Sequence, residues 1–273
     1  MNKIFSVIDR FGRSILWVLE EMGRIVALFL AVLSWMVRPP LRLRLIVRQM
    51  EFVGVKSIFV VILTGAFTGM VLALQSYHGF RMFSAESLVG ATVALSMTRE
   101  LGPVLTAIML IGRAGSSISA EIGIMRISEQ IDALTAMGAN PIHYLVVPRF
   151  LACLLLIPAL TIMADFMGVV GAYFYSVDIL GIDRHFYLYN SREFIGGYDL
   201  FVGIFKSLFF GAAIAMVSCH RGFNCTPGAE GVGRAATASF VISFVLILVI
   251  DLFLGILLDA IYYAIWPAGA RLF

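Results

Sequence analysis

Charged residues are scarce in this chain: Asp, Glu, Lys and Arg make up only 14% of its 273 residues. A soluble domain carries about 25% charged residues. Hydrophobic residues account for 60% of the chain, and the mean hydropathy is +0.96. The shortage of charge therefore excludes an ordinary soluble domain and predicts an all-α membrane protein with several spans.

Cysteine is also rare, with only Cys153, Cys219 and Cys225. An odd number of cysteines without metal-like spacing argues against a disulfide framework and against a zinc site. A His-Glu-x-x-His motif is missing as well. We therefore expect free thiols and no bound metal.

The chain has no Gly-x-x-x-x-Gly-Lys-Ser/Thr phosphate loop, since none of its three lysines, Lys3, Lys56 and Lys206, follows a glycine. Ser116 and Ser117 have no His or Lys that would share their depth, which argues against a hydrolytic Ser–His or Ser–Lys pair. The sequence therefore predicts a protein that is not an enzyme by itself and that holds no cofactor.

Five apolar segments are each near the ~20 residues that a membrane-spanning helix needs. They cover residues 57–77, 87–112, 150–176, 200–219 and 236–265. Together they define a five-span membrane domain over residues 51–273, with a longer outer connection at 177–199 in which we expect a short helix.

The N-terminal residues 1–50 differ from these spans. Apolar residues recur at helical spacing with charges between them, and the one continuous apolar run, 25–37, is short for a crossing. Pro39 and Pro40 then break the helix. We interpret the region as an amphipathic helix in the membrane interface, with a sixth, tilted or re-entrant span as the alternative.

Basic residues predict the orientation. With the N-terminus inside, the inner segments hold 14 Lys and Arg and the outer segments hold four, while Arg99 and Lys206 lie within spans. The positive-inside rule therefore places the N-terminus in the cytoplasm and, after five crossings, the C-terminus outside.

Four charged residues fall well inside the predicted spans: Arg99, Glu100, Lys206 and Asp251. Each costs about 2.5–3.5 kcal/mol at a helix centre, so none should face lipid. They could lock helices together, or they could line a polar site for a lipid headgroup. Asp165 and Asp259 lie nearer span ends, where we expect easier hydration.

Apolar and aromatic residues gather at the outer end of the first span. They include Leu72, Leu74, Tyr77 and Phe83. An aromatic belt at the membrane surface explains such a pattern. The alternative is that these side chains wall a cavity for acyl chains.

A short polar helix is predicted at about residues 127–137, between the second and third spans. Glu129, Gln130 and Asp132 occupy its exposed side, and Ile131 and Leu134 occupy a face that can anchor to the membrane domain or a partner. Since the chain has no nucleotide site, such a cytoplasmic helix is where an external ATPase could act.

Several stretches together resemble the MlaE family of permease subunits in phospholipid-transporting ABC transporters. The similarity covers roughly residues 45–265, and its most specific part is the sequence Glu-Gln-Ile-Asp-Ala-Leu at 129–134. The other matching stretches are 69–75, 99–107, 112–116, 120–126, 140–141, 146–149 and 231–235.

The resemblance implies a homodimer in the cell inner membrane, held between a cytoplasmic ATPase dimer and a periplasmic ring of MCE-domain proteins, in some systems with a STAS-domain subunit. It implies a phospholipid substrate moved between the inner and outer membranes, ATP and Mg bound by the partner, and no nucleic acid. It assigns 129–134 to ATPase coupling and places Arg99, Glu100, Lys206 and Asp251 in the membrane interior.

Two other functions remain compatible with the residues. A proton-driven secondary transporter would use Glu100 and Asp251 and would need no ATPase. A structural scaffold of an envelope complex would tolerate neutral substitutions of the intramembrane charges.

Overall fold

The computed structural model of the protein describes residues 2–38 and 42–265, and for residues 2–15, 17 and 18 it describes the backbone alone. Within that part, every regular element is helical. The elements are α1 (Asn2–Met36), α2 (Leu43–Arg81), α3 (Glu86–Ile127), α4 (Gln130–Ala136), α5 (Ile142–Ile179), α6 (Arg184–Phe194), α7 (Gly197–Phe223) and α8 (Ala229–Ile265).

Five of these helices, α2, α3, α5, α7 and α8, are long and apolar enough to cross a membrane, which confirms the predicted all-α class and span count. They are longer than the apolar segments that predicted them. Helix α3 has 42 residues, which at 1.5 Å per residue is about 63 Å, or twice the hydrocarbon thickness. Apolar runs mark only the part of each helix that hydrocarbon would surround, and the helices continue beyond it into polar sequence.

The chain order places α4 at one end of this bundle and α6 at the other, since each lies between two consecutive long helices. We call these the α4 end and the α6 end. The helix of the first span begins at Leu43, within the N-terminal region 1–50, because the backbone stays helical through residues 51–55.

Three of the long helices contain π-helical turns, in which the backbone hydrogen bonds reach one residue further than in an α-helix. These turns are Glu51–Val55 in α2, Met97–Leu101 and Ile111–Gly115 in α3, and Ile142–Val146 and Phe174–Ile179 in α5. Two of the turns carry charged side chains of α3, namely Arg99 and Glu100 in one and Arg113 in the other. The sequence offered no signal for them.

The closest helix packing joins α2 to α5 through glycines. A Cβ added at Gly65 would lie 2.6 Å from the carbonyl oxygen of Ala164, and one added at Gly69 would overlap the Gly168 carbonyl. Small residues let two backbones approach at this distance. Gly65 and Gly69 of α2 therefore pack directly on Ala164 and Gly168 of α5.

Helix α1 packs one side against the bundle and exposes another. Val32 is fully buried, and Phe29 packs edge-to-face on Phe150 of α5. Glu21 lies 3.0 Å from both His220 and Arg221 at the end of α7, which ties α1 to the α4 end. An exposed apolar stripe remains, formed by Leu16, Leu19, Met22, Val26, Leu30, Leu33 and Val37. Such a stripe suits an interfacial helix, and the interfacial placement stays a prediction.

The connection at 177–199 contains the expected short helix, α6. The Asp183 carboxylate caps its N-terminus by accepting hydrogen bonds from the backbone N–H groups of His185 and Phe186. Tyr187 packs in a second apolar cluster with Val89 of α3. Burial raises the pKa of the Tyr187 hydroxyl to about 12, so this side chain stays neutral at physiological pH.

We predict that Gly69→Ala lowers the free energy of unfolding by about 1–3 kcal/mol, because the new methyl group would force α2 away from α5. The midpoint of thermal unfolding in detergent measures this. Gly79→Ala in the same helix is the control, because a Cβ there has no atom within 4 Å. Equal midpoints for the two variants would contradict the assigned helix contact.

Candidate coupling surface and intramembrane ion pairs

Helix α4 is separated from α3 by a sharp turn at Glu129. This residue has φ of 58°, in the left-handed region that non-glycine residues rarely adopt. The helix itself spans only Gln130–Ala136, since Ser128 and Glu129 form the turn and residues 137–138 end the helix. The predicted range 127–137 thus contains a turn, a two-turn helix and its end.

The two faces of α4 differ in polarity. Glu129, Gln130 and Asp132 are exposed, and Asp132 pairs with Arg126 of α3 at 2.7 Å. Ile131 is buried and Leu134 packs against the main core of the bundle. The helix is therefore fastened to the membrane domain on one side and presents a polar surface on the other.

A buried arginine links the two long helices that flank α4. Arg149, near the start of α5, donates to the carbonyl of Leu145 at 2.9 Å and pairs with Glu121 of α3 at 3.0 Å. Only 6% of Arg149 is exposed. The arginine is enclosed while 46% of the Glu121 side chain is exposed, and the pair connects α3 to α5 next to α4. Sequence reasoning assigned neither residue, although both lie in stretches that resemble the MlaE family.

Inside the bundle, Lys206 of α7 lies between two carboxylates. Its Nζ atom donates a hydrogen bond to Glu100 of α3 at 2.5 Å and lies 3.0 Å from Asp251 of α8. The Lys206 side chain is 0% exposed, whereas 20% of Asp251 and 53% of Glu100 are exposed. One enclosed ammonium thus connects three spanning helices.

Arg99 belongs to a separate group nearer the α6 end. It lies 3.3 Å from Asp199 of α7 and 2.9 Å from Asp259 of α8, and its guanidinium sits over the ring of Tyr198. The four intramembrane charges therefore do not form one network: three meet at Lys206, and Arg99 pairs elsewhere. Neither acidic partner was assigned from sequence, because Asp259 lies near a span end and Asp199 falls in the connection 177–199.

The four residues predicted to contact lipid tails do not share one surface. Leu72 and Tyr77 pack against the second apolar cluster, around Ala73 and Tyr187. Leu74 and Phe83 are exposed. Leu74 and Phe83 are thus exposed on the surface, whereas Leu72 and Tyr77 are partly buried against the second apolar cluster.

Two further polar residues lie where sequence reasoning did not place them. Arg113 of α3 donates hydrogen bonds to the hydroxyl of Ser57 and to the carbonyl groups of Phe52 and Val53, which staples α3 to α2. Asp165 is 7% exposed, so our expectation of easy hydration there is wrong. The Asp165 carboxylate of α5 packs against Gly102 of α3, in the space that a side chain at position 102 would otherwise fill.

These features define a class: a multi-span membrane domain with charges paired inside its bundle and a short helix with an exposed polar side at one end. The profile of the family described as Permease MlaE matches residues 46–257. The chain belongs to the MlaE permease family. It is a permease subunit of an ABC transporter, the subunit type that leaves ATP to a partner ATPase.

Named relatives agree with this assignment. A probable ABC transporter permease protein of Rickettsia conorii is 42% identical over 246 residues, which cover 90% of this chain and 95% of the relative. The intermembrane phospholipid transport system permease protein MlaE of Haemophilus influenzae is 35% identical over 254 residues, covering 92% and 97%. The chloroplastic protein trigalactosyldiacylglycerol 1 of Arabidopsis thaliana is 37% identical over 208 residues, covering 76% and 59%.

We predict that Lys206→Met lowers the free energy of unfolding by about 3–5 kcal/mol, because it leaves Asp251 and Glu100 without their cation. Adding Asp251→Leu should recover part of this loss, since the variant then lacks both the ammonium and its more enclosed carboxylate. Thermal unfolding in detergent measures both effects.

Lys56→Met is the control for removal of a lysine, because Lys56 is exposed and its loss should stay within about 0.5 kcal/mol. A double variant no more stable than Lys206→Met alone would show that the pairing at Lys206 does not hold the helices together.

Proposed function

We propose that this chain is the membrane-spanning permease of a transporter that moves glycerophospholipids between the inner and outer membranes, which maintains the lipid asymmetry of the outer membrane. The H. influenzae relative carries the name of an intermembrane phospholipid transport permease. The observation that carries the proposal is the exposure of carboxylates on the side of the bundle at membrane depth.

Glu100 is 53% exposed and Asp259 is 55% exposed, although both belong to spanning helices. A carboxylate exposed to hydrocarbon costs several kcal/mol, so this side of the chain should face water or protein. If a second copy of the chain packed with its own Glu100 and Asp259 side against this one, the two copies would enclose a polar cavity between them. This supports a homodimer with a shared central cavity.

The geometry also supports different roles for the residues of that cavity: ion pairing inside the bundle, contact with the lipid phosphate and contact with the acyl chains. Lys206 is enclosed by its two carboxylates and has no exposed surface for a ligand. Arg99 is 29% exposed on its side chain and is the cation that a lipid phosphate could reach. Leu74 and Phe83, exposed on the α6-end half of α2 and just after it, would contact the acyl chains.

The partners follow from the two ends of the bundle. The α4 end carries Arg126, Arg149, Arg221 and Arg234, in accord with a cytoplasmic location and an N-terminus inside. A cytoplasmic ATPase dimer would grip the exposed side of α4, and closure of that dimer would shift α3 and α5 through the Arg149–Glu121 pair. The α6 end would face the periplasm and bind a ring of MCE-domain proteins. At the opposite, cytoplasmic end, a STAS-domain subunit would bind to the ATPase.

We predict that the complex reconstituted with its ATPase and periplasmic partner moves a fluorescent phospholipid only when ATP is supplied. Glu100→Gln combined with Asp259→Asn should slow this movement about tenfold, because the cavity wall loses its charged groups. Asp178→Asn combined with Glu193→Gln, both exposed near the α6 end, is the control.

Two outcomes would contradict the proposal. Lipid movement by the chain alone under a pH gradient would identify a secondary transporter. Normal lipid distribution in cells that carry the Glu100 and Asp259 substitutions would identify a scaffold.

We predict that Glu129→Lys combined with Asp132→Lys abolishes co-purification of the ATPase, because the substitutions reverse the charge of the exposed side of α4. Asp178→Lys combined with Glu193→Lys reverses two charges near the other end and should leave co-purification intact. The thermal midpoint of each variant is measured in parallel to show that the bundle still folds. A retained stoichiometric complex would exclude α4 as the coupling helix.

A further inference from the structure

A cavity of about 640 Å³ opens at the α4 end between α2, α3 and α5, with Gln130 of α4 on its rim. We call it the basal cavity. It does not include Arg99 of α3 or Lys206 of α7, whose charged partners lie on α3, α7 and α8. Its volume exceeds that of several ordered waters, each of which takes about 30 Å³.

The lining of the basal cavity carries charges of both signs. Arg48, Lys56 and Arg149 contribute cations, and Glu51 and Glu121 contribute carboxylates. Since Glu121 pairs with Arg149, Arg48 and Lys56 are the cations left for a ligand and Glu51 is the carboxylate left for one. Within the described residues, these two basic side chains have no ion pair with an acidic group.

Two buried polar atoms of the lining lack a partner among the described residues: Nε of Arg149 and Oε1 of Gln49. Arg149 is 6% exposed, so water reaches it poorly. Nearly all buried polar groups in proteins find a hydrogen-bond partner. Both atoms have almost no accessible surface, so the contacts to a ligand must come from the exposed side chains of the lining, Arg48, Glu51 and Lys56.

The basal cavity lies at the level where hydrocarbon gives way to polar sequence. Lys56 directly precedes the apolar segment 57–77, and Arg149 directly precedes the segment 150–176. On α2, the exposed residues Phe59, Val60 and Leu63 follow Lys56 at spacings of three, four and seven, so they continue the same helix face into the membrane. A polar site next to an exposed apolar stripe offers one surface for a lipid headgroup and another for its acyl chains.

We propose that the basal cavity binds the headgroup of a zwitterionic aminophospholipid from the leaflet at the α4 end. The phosphate would accept charge-assisted hydrogen bonds from Arg48 and Lys56, and the ammonium would face Glu51, with the acyl chains along Phe59 and Leu63. The site deepens the proposed function and rests on it, because it gives the permease a second headgroup site apart from the central cavity.

The test uses the full-length chain in nanodiscs with a phosphatidylethanolamine that carries a diazirine close to the glycerol backbone. After irradiation, mass spectrometry should find crosslinked peptides that contain residues 45–56 or 144–149. Arg48→Gln combined with Lys56→Gln should lower the yield at these peptides about tenfold. Arg38→Gln combined with Arg44→Gln removes two exposed arginines that do not line the cavity and should leave the yield unchanged.

Competition identifies the ligand. Unlabelled phosphatidylethanolamine should suppress the crosslinks, whereas phosphatidylglycerol, which has no ammonium, should do so at least about fivefold less well. Equal suppression by the two lipids would overturn the zwitterionic assignment. Suppression by millimolar inorganic phosphate would show a site for a free anion and overturn the assignment to a lipid.

Three further results separate this proposal from the others. Loss of ATPase co-purification in the Arg48 and Lys56 variant would make the cavity a protein-docking site and overturn the lipid assignment. Crosslinks at the basal cavity in a complex that fails to move lipid with ATP would support the headgroup site and reject the proposed transport function. Crosslinks confined to peptides around Arg99 or Asp251 would overturn the basal site alone.

Discussion

The enclosed ammonium of Lys206 is the interaction on which the arrangement of the bundle depends. An isolated ammonium at membrane depth is costly, and no water in the hydrocarbon can solvate it. The chain meets this constraint with carboxylates from two other spans, Glu100 on α3 and Asp251 on α8. Because a charge and its partners must stay together in a medium of low dielectric constant, the three helices are held in one relative position at that depth.

Helices α2 and α5 are joined by contacts that need no charge at membrane depth. Helices α2 and α5 meet through the glycines at 65, 69 and 168, where packing is close enough that a methyl group would not fit. Close contacts of this kind do not deform gradually, so α2 and α5 should move as a unit. Arg113 of α3 donates hydrogen bonds to the backbone carbonyls of Phe52 and Val53, which connects α3 to these two helices.

The two ends of the molecule follow from the same physics. At the α4 end, Ile131 fixes a short polar helix to the bundle, and the Arg149–Glu121 pair joins the helices on either side of it. A force on the exposed side of α4 would therefore reach α3 and α5 together. Toward the α6 end, Arg99, Asp199 and Asp259 gather polar groups at the edge of the side that we assign to the central cavity.

The sequence by itself determined the class of the protein, the five spans and the existence of α4, because long apolar runs and a polar interruption are local properties of the chain. The resemblance at 129–134 also pointed to the family. The charges at 99, 100, 206 and 251 were visible in the sequence because a charge in an apolar run is unmistakable. Only the tertiary structure decided which charge meets which: adjacent residues Arg99 and Glu100 project from a π-helical turn toward different partners, and helix spacing does not predict that turn. The structure also decided that Asp165 is buried and that Leu72 and Tyr77 pack, partly buried, against the second apolar cluster, since burial depends on which helix face meets a neighbour far away in the sequence.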